Sequence, residues 1–382
     1  MAHPSVCMLT ASFDPTLGGT ERQCRLLSEW LVTAGVPVAV LTRAGRKGVQ
    51  VPRAPFPVHR FPVGSRKLLA GLGYVLASAC WLAARGGRFS VLHAHQALSP
   101  ALAAVLAKRL RPRQRVVVKV VSSGATSDFR LAQVRPFYRH RMALLRGVDC
   151  FVVLNRESAA ELQAVGLGEV PAHLIPNGVD SRCFIPAEPA EQAALRTRLG
   201  LPPDEAVALF VGRLERYKGL DILITAWTDL VRRGHTPHLV IAGPGEAAAW
   251  FREAQAQGVG DRVTFLGGRE DVADLYRAAD LFVFPSRGEG CPNAVLEAMA
   301  SGLPVVATDV AGNRETLGED GKVGRLVPAE APAALADAVA DLMVAPALRR
   351  ELGMAGRARV LEQFDIQRVG ARYLSLYEEL QG

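Results

Sequence analysis

Several marks of secreted, metal-bound or membrane-spanning proteins are missing from this 382-residue chain. Its six cysteines (Cys7, Cys24, Cys80, Cys150, Cys183 and Cys291) form no Cys-x-x-Cys pair and fall at no metal-ligand spacing. A disulfide framework and a zinc site are thereby set aside, and the thiols are expected reduced in a cytoplasmic setting. No Asp-x-Asp occurs, so the common carboxylate route for holding a divalent cation against a diphosphate is lacking; neither a metal nor a cofactor is expected. Aromatic residues make up only 6% and no basic motif is interleaved with them, which argues against a nucleic-acid-binding protein. The N-terminal segment lacks a basic stretch followed by an apolar run of signal-peptide length, so no export signal is expected. The most apolar run, residues 68–84, is 17 long with two glycines, at the lower edge of a membrane span. It reads as a buried or membrane-surface helix.

Hydrophobic residues, at 49% against 21% charged, are ample for packed cores, and the length suits two domains. The net charge of +8 is unevenly placed: 24 of the 45 Lys and Arg but only 9 of the 37 Asp and Glu precede residue 183, leaving 21 against 28 beyond it. Either the first half meets something anionic, a lipid surface, a phosphorylated acceptor or a nucleic acid, or it carries a solvated arginine-rich surface.

Short apolar runs rich in β-branched residues recur at 6–9, 36–41, 91–93, 115–121, 151–154 and 173–175, then at 206–211, 238–242, 263–265, 281–284 and 304–307. Each is followed by a helix-like stretch, which predicts βαβ units and parallel sheets with covered faces, an α/β fold. The irregular, proline-bearing segment 183–194 is the expected boundary, giving Rossmann-like domains over 1–182 and 183–363. A final helix over 364–382 is expected to pack back on the first.

In open α/β sheets, ligands bind beyond the carboxyl ends of the strands, where helix N-termini offer free N–H groups. After the first strand, Gly18-Gly19 allow close backbone approach, and Thr20 with Gln23 matches a capping box. This is either a phosphate cradle or a turn. After the strand at 281–284, Pro292 suits a helix start and Gly302 a helix end, with Glu289 in the loop and Glu297 in the helix. One carboxylate can meet the group beyond a diphosphate while the other reaches back to a ribose; alternatively Glu297 pairs with an arginine and Glu289 is solvated. Arg213 and Lys218 lie on a short loop after another strand, where a bidentate fork and a point charge would neutralise a diphosphate.

These residues resemble the retaining glycosyltransferases of family four, glycosyl transferases group 1, over nearly the whole chain. The resemblance rests on Ile175-Pro-Asn-Gly-Val-Asp180, Val211-Gly-Arg-Leu with Lys218-Gly219, Ile241-Ala-Gly-Pro-Gly245, Phe265-Leu-Gly267 and Ala279-Asp280. It continues through Pro285-Ser286, the Glu289 and Glu297 pair, Gly302-Leu-Pro-Val-Val-Ala-Thr308 and Gly324-Arg-Leu-Val327. It implies a GT-B architecture, two facing Rossmann-like domains with the donor site in the interdomain cleft. Arg213 and Lys218 would then grip the donor diphosphate, aided by Gly18 and Gly19 and by backbone N–H groups from Asn293, Ala294 and Val295. Glu297 would accept from the ribose hydroxyls. Glu289, with Gly290 beside it, would contact the transferred sugar, and 266–269, ending at Arg269, would face the nucleobase. Cys291 stands where the family often has an aromatic residue. Where it often has a histidine after the strand at 115–121, this chain has Ser122-Ser123-Gly124, which leaves Ser123 for that contact. His95 either helps position the sugar or packs; Asp128 either approaches the acceptor or caps a helix.

The resemblance implies transfer of a hexose from a nucleotide-diphospho-sugar, UDP favoured over GDP, to an acceptor hydroxyl with retention of configuration. Arg213, Lys218 and Glu289 are the residues expected to carry the chemistry. The basic first half, the apolar 68–84 run and Arg109, Arg111, Arg113 and Arg115 point to a lipid-linked acceptor at an anionic membrane, as in cell-envelope polysaccharide assembly. A soluble small-molecule acceptor is the rival, and a nucleotide-sugar epimerase of the same fold is a different reaction on the same donor.

Overall fold

The computed structural model describes residues 4–14, 18–45, 53–63, 67–124, 127–134 and 137–382. Residues 15–17 of the first glycine loop lie outside the described residues. The chain forms two compact units, Met1–Gly178 with Ile366–Gly382, and Val179–Asp365.

The first unit holds strands β1 (Val6–Thr10), β2 (Val38–Arg43), β3 (Val58–Phe61), β4 (Val91–His95), β5 (Arg115–Lys119), β6 (Cys150–Val153) and β7 (Ala172–Leu174) in one parallel sheet, ordered β3-β2-β1-β4-β5-β6-β7. The second holds β8 (Val207–Val211), β9 (His238–Ala242), β10 (Val263–Gly267), β11 (Leu281–Phe284), β12 (Val305–Thr308) and β13 (Arg325–Val327), also parallel, ordered β10-β9-β8-β11-β12-β13. Central strands such as β1, β4, β9 and β11 are buried at every residue, as helices on both faces require. The sequence did not reveal β3 and β13. Both are edge strands, where one side faces no neighbour and His59, Arg60 and Arg325 are tolerated.

In each sheet the strand order reverses once, between β1 and β4 and between β8 and β11. The loops leaving these strands diverge and open a crevice at their carboxyl ends.

The helix Gly19–Thr33 opens from Gly18 with no side-chain cap, so the expected Thr20–Gln23 capping box does not form. Gln23 is buried and serves a distant partner: its Nε2 donates to the Gly178 carbonyl at 2.7 Å, and the Gly178 N–H donates back to its Oε1 at 3.0 Å. One amide side chain thus satisfies both backbone groups where the first unit ends, earlier than the 182 expected. The C-terminal helix Ile366–Glu379 belongs to this unit, with Trp30 Nε1 donating to Gln367 at 2.8 Å.

The 68–84 run forms the helix Lys67–Arg85. It buries Tyr74, Val75, Ser78 and Leu82, but Leu72 and Leu76, one turn apart, are 57% and 53% exposed, with Cys80 exposed a turn further on. Arg111 donates to the Ala83 carbonyl at 2.6 Å and so fixes the end of the neighbouring helix Ser99–Leu110, where Leu110 is 68% exposed between exposed Arg109 and Arg113. Among the described residues no helix is long and apolar enough to cross a membrane.

Beneath the first sheet's reversal, register sets Thr10, His95 and Lys119 abreast, all buried. His93 stacks on His95 at 4.4 Å between ring centres, and its Nδ1 lies 2.7 Å from the Tyr377 hydroxyl of the C-terminal helix. Burial, helped by the Lys119 charge, pushes the His93 imidazole down to about 3 from 6.5. Such a ring stays neutral in the folded protein while the unfolded chain takes up a proton, so its contribution to stability is whole above about 6.5 and is lost as pH falls towards about 3. Asp128, pushed up by burial to about 6, acts in the opposite sense below that pH and is common to both proteins compared. Between pH 7 and pH 5 the melting temperature of the wild type is therefore expected to fall further than that of His93→Gln. Equal falls would show that His93 is not held neutral.

Candidate functional site

The second unit's loops after β8, β11 and β12 meet at the reversal between β8 and β11. Two glycines bring them close. Gly219 has φ +77°, and a Cβ there would sit 1.9 Å from the Pro285 carbonyl oxygen, so the β8 and β11 loops touch through bare backbone. At Gly312, opening the helix after β12, a Cβ would lie 2.5 Å from the Glu289 carbonyl, which instead accepts the Gly312 N–H at 3.1 Å.

At this junction Lys218 Nζ donates to Glu289 Oε1 at 2.5 Å, and the Ser286 hydroxyl donates to the same oxygen at 2.6 Å. Thr308, at the end of β12, donates to the Ser286 carbonyl at 2.5 Å and holds the serine in place. The side chains of Lys218 and Glu289 are only 14% and 11% exposed, so Glu289 is not the solvated carboxylate that one reading allowed. The ammonium also lies 4.9 Å from the Tyr217 ring centre and 5.3 Å from that of Phe284. Burial by itself would pull the Lys218 pKa down, but Glu289 and Tyr217 outweigh it, and the pKa is raised. The lysine is fully charged at neutral pH.

Behind this pair runs the helix Asn293–Ala300, with Pro292 at its cap and no side-chain cap. The Leu296 N–H donates to the Pro292 carbonyl at 3.2 Å, so Asn293, Ala294 and Val295 make up the helix's first turn, whose N–H groups point toward its N-terminal end. Gly290 lies in the preceding loop. Glu297 is buried, and Tyr276 Oη shares its one proton between the Glu297 carboxylate at 3.0 Å and the Ala294 carbonyl at 3.2 Å. Arg213 is half-exposed and reaches Glu215 at 2.9 Å and the Tyr217 hydroxyl at 2.5 Å. Arg269, after β10, lies on its near neighbour Asp271, with its Nε donating at 2.7 Å.

The other expected residues belong to the first unit. Gly18 and Gly19 open the helix after β1. His95 ends β4 and is fully buried. Ser123 is buried and accepts from Asn155 Nδ2 at 3.1 Å. Asp128 is not the helix cap, a role taken by Ser127; its carboxylate is buried and gathers the Ala97 and Val121 N–H groups and the Ser122 hydroxyl, each at 3.3 Å. It ties the loop after β4 to the loop after β5.

Sequence reasoning passed over Tyr276, Tyr217 and Arg287. Nothing marks Tyr276, inside Asp-Leu-Tyr-Arg. Arg287, the one cation between Pro285 and Glu289, carried a signal that went unused.

Residues 205–345 match the family model of glycosyl transferases group 1, and residues 18–178 that of the glycosyl transferase 4-like domain. The lipopolysaccharide core biosynthesis mannosyltransferase LpsB of Rhizobium meliloti is 30% identical over 312 residues, 78% of this chain and 82% of that protein. A D-inositol 3-phosphate glycosyltransferase of Xylanimonas cellulosilytica is 29% identical across 98% of this chain and 97% of its own length. The crystal structure of Anabaena Alr3699/HepE in complex with UDP-glucose is similar in fold, with a TM-score of 0.79 at 20% identity over 99% of this chain and 100% of that one. With two Rossmann-like parallel sheets, two matching domain models and a relative at this identity, the chain belongs to the group 1 glycosyltransferases of family four, of GT-B fold.

Proposed function

We propose that this glycosyltransferase moves a hexosyl group from a UDP-sugar to an acceptor hydroxyl with retention of configuration and without a metal. The observation that carries the reading is the buried Lys218–Glu289 pair at the reversal of the second sheet, with Glu297 buried behind it.

As the bond between the sugar C1 and the β-phosphate oxygen breaks, its electron pair passes to the diphosphate and C1 becomes electron-poor. Lys218 and the Asn293–Val295 N–H groups answer the first charge, and Arg213 swings from Glu215 to add its fork. Glu289 faces the second. The acceptor oxygen forms its bond to C1 on the face the phosphate leaves, and its proton passes to the departing phosphate oxygen. In the unliganded protein Lys218 and Glu289 neutralise each other; arrival of a diphosphate and a sugar gives each a new partner. Glu297 accepts from the ribose hydroxyls.

For the acceptor, we infer a lipid-linked molecule met by a cytoplasmic enzyme at an anionic membrane, in cell-envelope polysaccharide or glycolipid synthesis. Supporting this are the exposed Leu72–Leu76 stripe, Leu110 between Arg109 and Arg113, and exposed Arg85 and Arg88 at and just beyond the helix's C-terminal end. Each arginine near an anionic surface contributes about 1 kcal/mol. LpsB, named for lipopolysaccharide core synthesis, agrees with this reading. The D-inositol 3-phosphate glycosyltransferases support the second reading, a soluble acceptor.

Calorimetric titration with UDP, GDP and ADP in the presence of EDTA is expected to show UDP binding tightest. Lys218→Ala should weaken it about tenfold or more, the worth of a charge-assisted bond, and Glu297→Gln by a similar factor. Unchanged affinity in both variants would refute the donor site. In flotation, vesicles containing phosphatidylglycerol should carry the protein up and phosphatidylcholine vesicles should not, with Leu72→Asp/Leu76→Asp left at the bottom. Flotation indifferent to lipid charge, or none at all, would favour the soluble acceptor.

A further inference from the structure

Arg287 sits two residues before Glu289, in the loop after β11, and its guanidinium has no free donor. Its Nε donates to Glu330; one terminal nitrogen donates to the Arg216 carbonyl and to Asp221 Oδ1 at 2.8 Å; the other donates to Asp221 Oδ2 at 3.0 Å and to Glu330 Oε2 at 2.8 Å. These use all of the N–H groups a guanidinium has. Its backbone N–H donates to the Tyr217 carbonyl at 2.9 Å. Two carboxylates offset its charge, and their hydrogen bonds hold its pKa above the ordinary arginine value.

The partners come from three separate places. Arg216 and Tyr217 belong to the loop after β8 that carries Lys218; Asp221 lies in the first turn of the helix Leu220–Arg232; Glu330 lies beyond β13 with φ +58°, a conformation a non-glycine residue adopts rarely. The clamp therefore holds Lys218 between a fixed carbonyl on one side and a fixed helix start on the other. It does so from the same loop that carries Glu289.

We propose that Arg287 is a positioning residue of the donor site, acting through Lys218: its saturated clamp sets where the ammonium stands relative to Glu289 and hence to a bound diphosphate. The proposal rests on the donor-site reading above. Arg287 is not itself a phosphate ligand, because its donors are spent and its charge is already paired. Lysine cannot replace it, since one ammonium with three donors cannot make the five hydrogen bonds of the clamp.

The test is a double-mutant cycle read by calorimetry with UDP and, separately, with uridine, on the full chain. Arg287→Lys is expected to weaken UDP roughly tenfold, as a misplaced charge-assisted bond would, and to leave uridine within about twofold. Placed on Lys218→Ala, the same change should cost less than about twofold further, because the group it positions is gone. Glu330→Gln, which keeps one acceptor for the clamp, should fall between wild type and Arg287→Lys. Three results would overturn the proposal. Wild-type UDP affinity in Arg287→Lys would show that the clamp is idle. Equal loss for UDP and uridine would show a general loosening of the fold, and full additivity with Lys218→Ala would show that Arg287 acts by another route. A Lys218→Ala protein that binds UDP as the wild type does would instead sink the donor-site reading, and the clamp's function with it.

Discussion

The second unit's ligand edge is organised around one contact, the ion pair between Lys218 and Glu289, closed at 2.5 Å with both side chains nearly out of water. A buried pair of this kind is a poor device for stability. Replacing both partners with well-packed apolar residues is commonly neutral or favourable, whereas removing one strands a buried charge at a cost of about 3–5 kcal/mol. Against a typical folding stability of about 5–15 kcal/mol, that is a large liability to retain. The loops show what retaining it requires. Gly219 admits the Pro285 carbonyl, Gly312 admits that of Glu289, Ser286 gives the carboxylate a second donor, and Thr308 fixes Ser286. Each of these makes sense only if the two charges must meet at that point.

Why they meet there follows from topology. In a parallel sheet every strand's carboxyl end points the same way, and where the strand order reverses, adjacent loops turn apart. Lys218 follows β8 and Glu289 follows β11, the two strands either side of the reversal. The sequence separation of 71 residues is spanned by the sheet and not by any local motif. In the first unit the same reversal is filled differently: His95 and Lys119 stand abreast in the interior, and the Asp128 carboxylate ties the loops after β4 and β5 together. One unit uses the position for a buried ion pair between two loops and the other for a buried polar packing layer.

Much of this was legible from sequence, for reasons that differ by residue. Strands buried on both faces read as unbroken apolar runs, so β1, β4, β9 and β11 were visible, while β3, reading Val-His-Arg-Phe, was not, because an edge strand need not exclude polar residues. That Lys218, Glu289 and Glu297 would lie at one strand-end junction was legible because these residues sit in spaced motifs beside strand ends. Tertiary partners were not. Gln23 fits a capping box in sequence, yet in the fold it pairs with Gly178, a residue 155 positions away that no local pattern could supply. Arg269 pairs with Asp271, two residues on, a contact between close neighbours in the chain. Tyr276 finds Glu297 across 21 residues and two elements, so its function is geometric and leaves no trace in its own segment.

Arg287 shows most clearly the difference between a residue that bears charge and one that places it. By composition it is one more cation beside the proposed phosphate-binding loop, and a count of positive charge would add it to Arg213 and Lys218. The hydrogen bonds decide otherwise. A guanidinium whose donors all end on Glu330, Asp221 and Arg216 offers no donor to a ligand, and two carboxylates cancel most of its field. Lys218 is the reverse case, a cation paired to one carboxylate that, on the proposed reading, takes another partner once a sugar arrives. Arg213, half-exposed and paired with Glu215, forms an ion pair of the weakly held surface kind, one that the proposed turn to a phosphate would give up at little cost. Of the three cations, then, one is fixed, and on the proposed donor-site reading it is the fixed one that would let the other two stand in the right place before a donor arrives.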